Sequence, residues 1–220
     1  MTVDTVISGG TVVTAERMFD ASVAIDEGRI VGVGEREILP PATTEIDASG
    51  KIVMPGVVDP HVHIDGYLSL DSYETATSAA ALGGVTSCLN FAWQAWVGEL
   101  SIWETEGTVL EAIERQKQKL SESLIDVGLH ASLTREDPTV FEEFDAVIDE
   151  GVTSFKIFTA YEIGLSNGFL NRVFEQIAER DAVAVLHTED DSVCEELAAR
   201  FEFYETVEKS VPKKKHGTVL

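Results

Sequence analysis

Basic residues are scarce. Sixteen Lys and Arg face 39 Asp and Glu in 220 residues, a net charge of -23. Contact with nucleic-acid phosphates needs clustered Lys and Arg, so this balance argues against a nucleic-acid partner. The acid is spread along the chain rather than blocked into a tail, as on a solvated surface. Cysteine is nearly absent: Cys88 and Cys194 stand alone, without CxxC spacing. Two lone thiols suit a reducing compartment. No run of eighteen or more apolar residues occurs, so no membrane span is expected. The opening MTVDTVISGG lacks a basic stretch followed by an apolar one, so no secretory signal is expected and the cytoplasm is the default location.

What is present suffices for one sizeable core, since 44% of the residues are hydrophobic. Residues 1–54 read as short strands: Thr5–Ile7, Thr11–Val13, Ser22–Ile25, Ile30–Val33 and Glu45–Ile46. Gly9-Gly10, Glu27-Gly28 and Pro40-Pro41 read as the turns between them. Such closely spaced strands predict a small β-sandwich portion rather than a βαβ unit.

The pattern changes after Pro55-Gly56. Apolar runs at Val57–Asp65, Val85–Phe91, Val127–Thr134, Ser154–Ala160 and Ala182–Thr188 alternate with helical stretches. The helices are expected over Ser72–Leu82, Glu106–Glu122, Asp137–Glu150, Asn167–Glu179 and Asp191–Glu208. Regular alternation with nearly continuous apolar strands indicates a parallel sheet covered by helices. A closed eight-fold barrel has eight such units and this chain shows about five. An open doubly wound sheet would carry a Gly-rich turn after its first strand, where this chain has His-Val-His. The expected fold is therefore α/β: an incomplete (β/α)8 TIM-type barrel over residues 55–208, with residues 209–220 a basic tail.

Polar residues end several of the predicted strands, which is the catalytic rim of a barrel. His61 and His63 sit two apart in DPHVHID, so in a strand both imidazoles project to one side and suit a metal such as zinc. The alternative is a pair of rim histidines bonded to neighbours. Lys156 lies inside the apolar run SFKIF, where burial should lower its pKa. A neutral amine can take up carbon dioxide and become an anionic two-oxygen ligand; a snorkelling or ion-paired lysine is the bland alternative. His187 ends the fifth strand. Tyr161, five residues past Lys156, offers a hydroxyl to a developing oxyanion, or simply packs by its ring. His130, in DVGLHASLT, reads as structural, and Trp93 and Trp96 as packing residues.

The segments GKIVMPGVVDPHVHID, GGVTSCLNFA, SFKIFTAY and VLHTED together resemble the cyclic amidohydrolases: dihydropyrimidinases, hydantoinases and allantoinases. VISGGTVV and ASVAIDEGRIVGVG resemble that family's N-terminal sandwich strands. The likeness extends to about Arg200. It implies a barrel hydrolase with two divalent ions, usually zinc, bridged by N-carboxylated Lys156. His61 and His63 match ligands of one ion and His187 a ligand of the other. Tyr161 matches the residue that holds the substrate and its tetrahedral intermediate. Tyr67 and Leu68, in the loop Gly66–Asp71, and Phe158 would line the substituent pocket. Asp65 stands where dihydroorotases of this type resemble HxHxR, so an uncharged dihydropyrimidine or hydantoin ring is expected over a carboxylated one. Allantoin, another cyclic amide, or a non-catalytic binding or oligomerisation role are the alternatives.

The family also uses a further His and an Asp from later strands. His216 lies in the basic tail and is not assigned that role, and no Asp beyond Asp191 is a candidate. The chain is therefore expected to be an N-terminal part, not competent by itself, whose full-length form is a homo-oligomer acting on a small cyclic amide.

Overall fold

The computed structural model describes residues 1–65, 68–94, 107–161 and 163–207. It divides into two compact units, Met1–Val57 and Val58–Leu220.

The first unit is one five-stranded sheet. β1 (Val3–Val13) is its centre, flanked by β2 (Met18–Asp26) and β4 (Ala42–Asp47), with β3 (Arg29–Gly34) beyond β2 and β5 (Ile52–Val53) also on β1. β1–β2 and β2–β3 are antiparallel, whereas β4 and β5 run parallel to β1. Val3, Val6 and Ala24 form its small core. Among the described residues this unit has no second sheet, so the expected sandwich is here a single layer. Glu27-Gly28 is the hairpin turn between Asp26 and Arg29, with positive φ at both residues (48° and 72°). Gly9-Gly10 is not a turn. β1 runs through it with a register shift between Ile7 and Gly10, because Gly9 takes φ +75° and forms a bulge. A Cβ on Gly9 would lie 2.7 Å from Ser49 Oγ, which also closes that position to side chains.

The second unit alternates strand and helix. The strands are β6 (Val57–Asp59), β7 (Val85–Trp93), β8 (Asp126–Ser132), β9 (Ser154–Phe158) and β10 (Val183–His187). They lie side by side in chain order, and β7 to β10 are parallel. The helices between and after them are α1 (Tyr73–Leu82), α2 (Val109–Lys117), α3 (Val140–Asp149), α4 (Asn167–Glu179) and α5 (Asp191–Val207). Local chemistry sets their starts. Ser72 and Ser166 cap α1 and α4, and Thr108 with Glu111 makes a capping box on α2. α3 begins at Val140, later than the Asp137-Pro138 signal implies. Asp137 instead accepts from Thr139, closing a tight turn ahead of the helix.

Strand alternation then sorts the side chains. Ala92, Leu129, Ala131, Leu133, Phe155 and Ile157 face the helices and join Ile113, Phe144, Val173 and Ile177 in one core. Phe144 stacks on Phe155 at 4.3 Å between centroids, with both rings fully buried. Residues paired across parallel strands project to the same side. Trp93, Ser132, Lys156 and Val185 are therefore one row across the opposite face, through the pairs Trp93–Ser132, Ser132–Lys156 and Lys156–Val185. Phe91–His130 and Phe158–His187 are neighbouring rows on that face.

Phe144→Ala removes the ring that joins α3 to β9. It is expected to cost about 3–5 kcal/mol in urea unfolding. A cost under about 1 kcal/mol would show that this helix layer is not tightly packed.

Candidate functional site

His61 and His63 lie just beyond β6, in a segment without regular ladder pairing. This corrects the expectation that both stand on the strand itself. Alternation survives because β7 holds the segment by its other residues. Val62 N–H donates to Leu89 O at 3.1 Å. Asn90, 1% exposed, grips Ile64 from both sides: its Oδ1 accepts from Ile64 N–H (3.1 Å) and its Nδ2 donates to Ile64 O (2.9 Å). The same Nδ2 donates to Tyr73 Oη, which donates to Gln116 Oε1. Residues 62 and 64 are thus tied to β7, and the imidazoles at 61 and 63 turn together onto Phe91, at 4.6 and 5.0 Å between centroids. The two rings are 5.2 Å apart, edge to face.

His130 fixes the segment from below. A carbonyl can only accept, so Nε2 donates to Pro60 O (2.9 Å); in the neutral ring Nδ1 then accepts from Ser154 Oγ (2.6 Å). Both nitrogens are engaged, in keeping with a structural role.

Lys156 is 4% exposed, with Nζ over the faces of Phe158 (4.9 Å) and Phe91 (5.8 Å). Among the described residues no carboxylate pairs with it. Burial lowers its pKa. His63 is pushed down to about 4, first by burial and then by His61 and Lys156. His61 is lowered by burial, then by Lys156 and His130, with Asp59 opposing and His187 adding a smaller push. These imidazoles are therefore neutral at pH 7, the state in which a ring nitrogen can bind a cation.

His187 packs between Phe158 (5.7 Å) and Tyr161 (5.3 Å). Its Nε2 is 3.1 Å from Glu189 Oε1, close but not aligned as a hydrogen bond. The buried nitrogens His63 Nδ1 and His187 Nε2 have no hydrogen-bond partner. Tyr161 is half-exposed and adopts φ +65°, a conformation that costs energy outside glycine. Asp191 receives its N–H, and its hydroxyl donates to Glu189 Oε2 at 3.1 Å. The Tyr161 pKa is raised, by burial first and then by its bond to Glu189.

Phe158 is buried against Trp93 (5.6 Å) as well as Lys156 and His187. Leu68 is 46% exposed in its loop. Tyr67, Trp96 and His216 lie outside the described residues. Asp65 forms an ion pair with Lys119. Among the described residues no three His, Cys, Asp or Glu side chains gather closely enough to hold an ion by themselves.

Sequence reasoning missed Asn90, Gln94 and Ser132. Each is a polar residue that interrupts an apolar strand or its end and is at most 2% exposed. That is the signal by which Lys156 was singled out, and it would have found all three.

Comparison with known proteins bears on the fold and the family. The amidohydrolase family model matches residues 44–105. A D-hydantoinase of Streptomyces coelicolor is 35% identical over 214 residues, covering 90% of this chain and 44% of that protein. A D-hydantoinase of Geobacillus stearothermophilus is 33% identical over 202 residues, covering 88% and 41%. A dihydropyrimidinase of Arabidopsis thaliana is 32% identical over 197 residues, covering 86% and 35%. A solved D-hydantoinase structure superposes with a TM-score of 0.77 at 29% identity, over 92% of this chain and 43% of that one. The chain thus spans less than half the length of the relatives it matches.

The depressed His63 pKa makes a pH prediction. The unfolded ring binds a proton near its ordinary value of 6.5 and the folded one only near 4, so stability should fall as pH drops through that interval. His63→Gln should flatten that part of the acid dependence in urea titrations between pH 7 and 4. An unchanged slope would mean that the folded ring protonates as freely as the unfolded one.

Taken together, the family match, the aligned relatives and the shared fold make this chain, over the part of them it spans, similar to the cyclic amidohydrolases.

Proposed function

We propose that this chain supplies His61, His63, Lys156 and His187 to a two-ion site, occupied by zinc, that opens a dihydropyrimidine or hydantoin ring to an N-carbamoyl amino acid. The observation that carries this reading is Lys156. A buried amine without an anionic partner lies on the same face of the parallel sheet as His187, and its charge is felt by His61 and His63. A lysine kept as a cation would be costly there. Carboxylation turns it into an anion with two oxygens, which suits a face bearing neutral imidazoles. The unpartnered nitrogens of His63 and His187 fit the same use. The relatives' names, D-hydantoinase and dihydropyrimidinase, point to the same substrate class.

Divalent ions held here would lower the pKa of a water enough to provide hydroxide near neutral pH. The chain's own residues prepare the ground for its attack on the ring carbonyl. Phe91, Phe158 and Trp93 keep water from the lysine and the imidazoles. Tyr161 presents a hydroxyl beside His187; exchanging its bond from Glu189 to the substrate would let it donate to the developing oxyanion. The strained backbone at Tyr161, tied to Asp191, holds the phenol in place before substrate arrives. Asp65, engaged by Lys119, presents no cation for a substrate carboxylate, which favours an uncharged ring. Leu68 and Phe158, with Tyr67, would receive a hydrocarbon substituent.

The test is zinc binding followed by ring-opening of dihydrouracil and hydantoin, measured by loss of ring absorbance. Lys156→Ala should weaken zinc binding by roughly a hundredfold or more, and small carboxylic acids should restore part of it. Zinc affinity indifferent to this substitution would end the proposed role of Lys156.

A further inference from the structure

Ser132 is fully buried, and its Oγ has no hydrogen-bond partner. An isolated buried hydroxyl is costly, on the order of 1–3 kcal/mol, so an unpaired one calls for an absent partner. Its position identifies that partner. Ser132 is paired in register with Lys156 across β8 and β9, so the two side chains leave adjacent parallel strands toward the same face. Trp93 closes the row on the other side of Ser132. The next polar residues on that face, His130 and Ser154, are already bonded to each other. Ser132 is thus left with a hydroxyl proton beside an amine that lacks a counter-charge.

We propose that Ser132 is a positioning residue for N-carboxylated Lys156, its Oγ–H donating to one carbamate oxygen. This rests on the carboxylation put forward above and adds the group that holds its product. In that reaction the lone pair of neutral Nζ attacks the carbon of carbon dioxide and an N–C bond forms. One C=O π pair moves onto oxygen, and an Nζ proton leaves to solvent. The product is an anion in an apolar surround. A hydrogen bond to a buried anion is worth more than one between neutral groups, so this hydroxyl should stabilise the adduct selectively. It would also fix the plane of the carbamate, and with it the direction in which its oxygens present lone pairs. A bare ammonium could only donate to Ser132 Oγ, whereas a carbamate accepts the hydroxyl proton in a charge-assisted bond.

The test is 13C NMR of the full 220-residue chain, titrated with 13C-labelled bicarbonate in the presence of zinc. Wild type should show a carbamate resonance that Lys156→Ala lacks. Ser132→Ala should need roughly tenfold more bicarbonate for half-formation, while Ser132→Thr, which keeps the hydroxyl, should stay near wild type. Near-UV circular dichroism of each variant checks that the fold is retained; loss of the signal with loss of fold in Ser132→Ala would be judged on Ser132→Cys, which keeps the size but donates only weakly and should repeat the tenfold shift. Equal half-formation in wild type and the folded Ala or Cys variant would overturn the role of Ser132 and leave carboxylation standing. No resonance in wild type at any bicarbonate concentration would overturn carboxylation itself, and this inference with it.

Discussion

One side-chain amide determines where the paired imidazoles stand. After Asp59 the chain leaves regular pairing with β7, yet it must stay close enough to aim residues 61 and 63 at the sheet face. Asn90 replaces the missing ladder by bonding both the N–H and the C=O of Ile64, as a neighbouring strand would. A backbone partner would also do this, but Asn90 adds a third bond, to Tyr73, and through it reaches Gln116 on α2. The segment after β6, the strand β7 and the helices α1 and α2 thus share one buried polar network. Such a network is stable only when every member is satisfied, so moving the segment would strand several polar groups at once. The His61–His63 pair inherits its position from that rule.

The face built this way has a consistent electrostatic character. Burial disfavours the added proton on His61, His63 and Lys156, and His61 and His63 are disfavoured further by Lys156. Aromatic rings fill the spaces between them: Phe91 touches both imidazoles, and Phe158 lies between Lys156 and His187. Rings cover apolar surface and supply no counter-charge. A buried amine without an acidic partner among rings does not make a stable core in itself. It makes one if an added group brings charge of the required sign, which is the ground for the proposed site.

Much of this was legible from the sequence because the periodicities are strong. The strand and helix alternation after Pro55-Gly56 needed only the contrast between apolar runs such as Ser154–Phe158 and amphipathic runs such as Asn167–Glu179. The caps at Ser72 and Ser166 were not singled out, although their residue type suits an N-cap. Other features depended on partners far along the chain. Gly9-Gly10 has the composition of a turn, but β1 is paired with β4 and β5 on the side away from β2, and that pairing carries the strand through the bulge. The displacement of the histidines beyond β6 could not be read because it depends on Asn90, 26 residues past Ile64. The pairing of Asp65 with Lys119, and the left-handed backbone of Tyr161, are likewise set by contacts that no local pattern announces.

The two halves of the site are not equally built. The half around His63 and Lys156 is closed by Phe91, Phe158 and Trp93 and braced by His130 and Asn90. The half around His187 and Tyr161 lies at β10, whose one strand neighbour among the described residues is β9. Val183, Leu186, Val193 and Leu197 are substantially exposed there, whereas every residue of β9 is buried. A ligand nitrogen in a rigid, enclosed setting loses little freedom on binding a cation, but one at an open edge must be ordered first. In the proposed two-ion site, the first half should therefore hold an ion more tightly than the second. The relatives are more than twice as long as the stretch they share with this chain, and in them further polypeptide is available to bring that second half to the same rigidity.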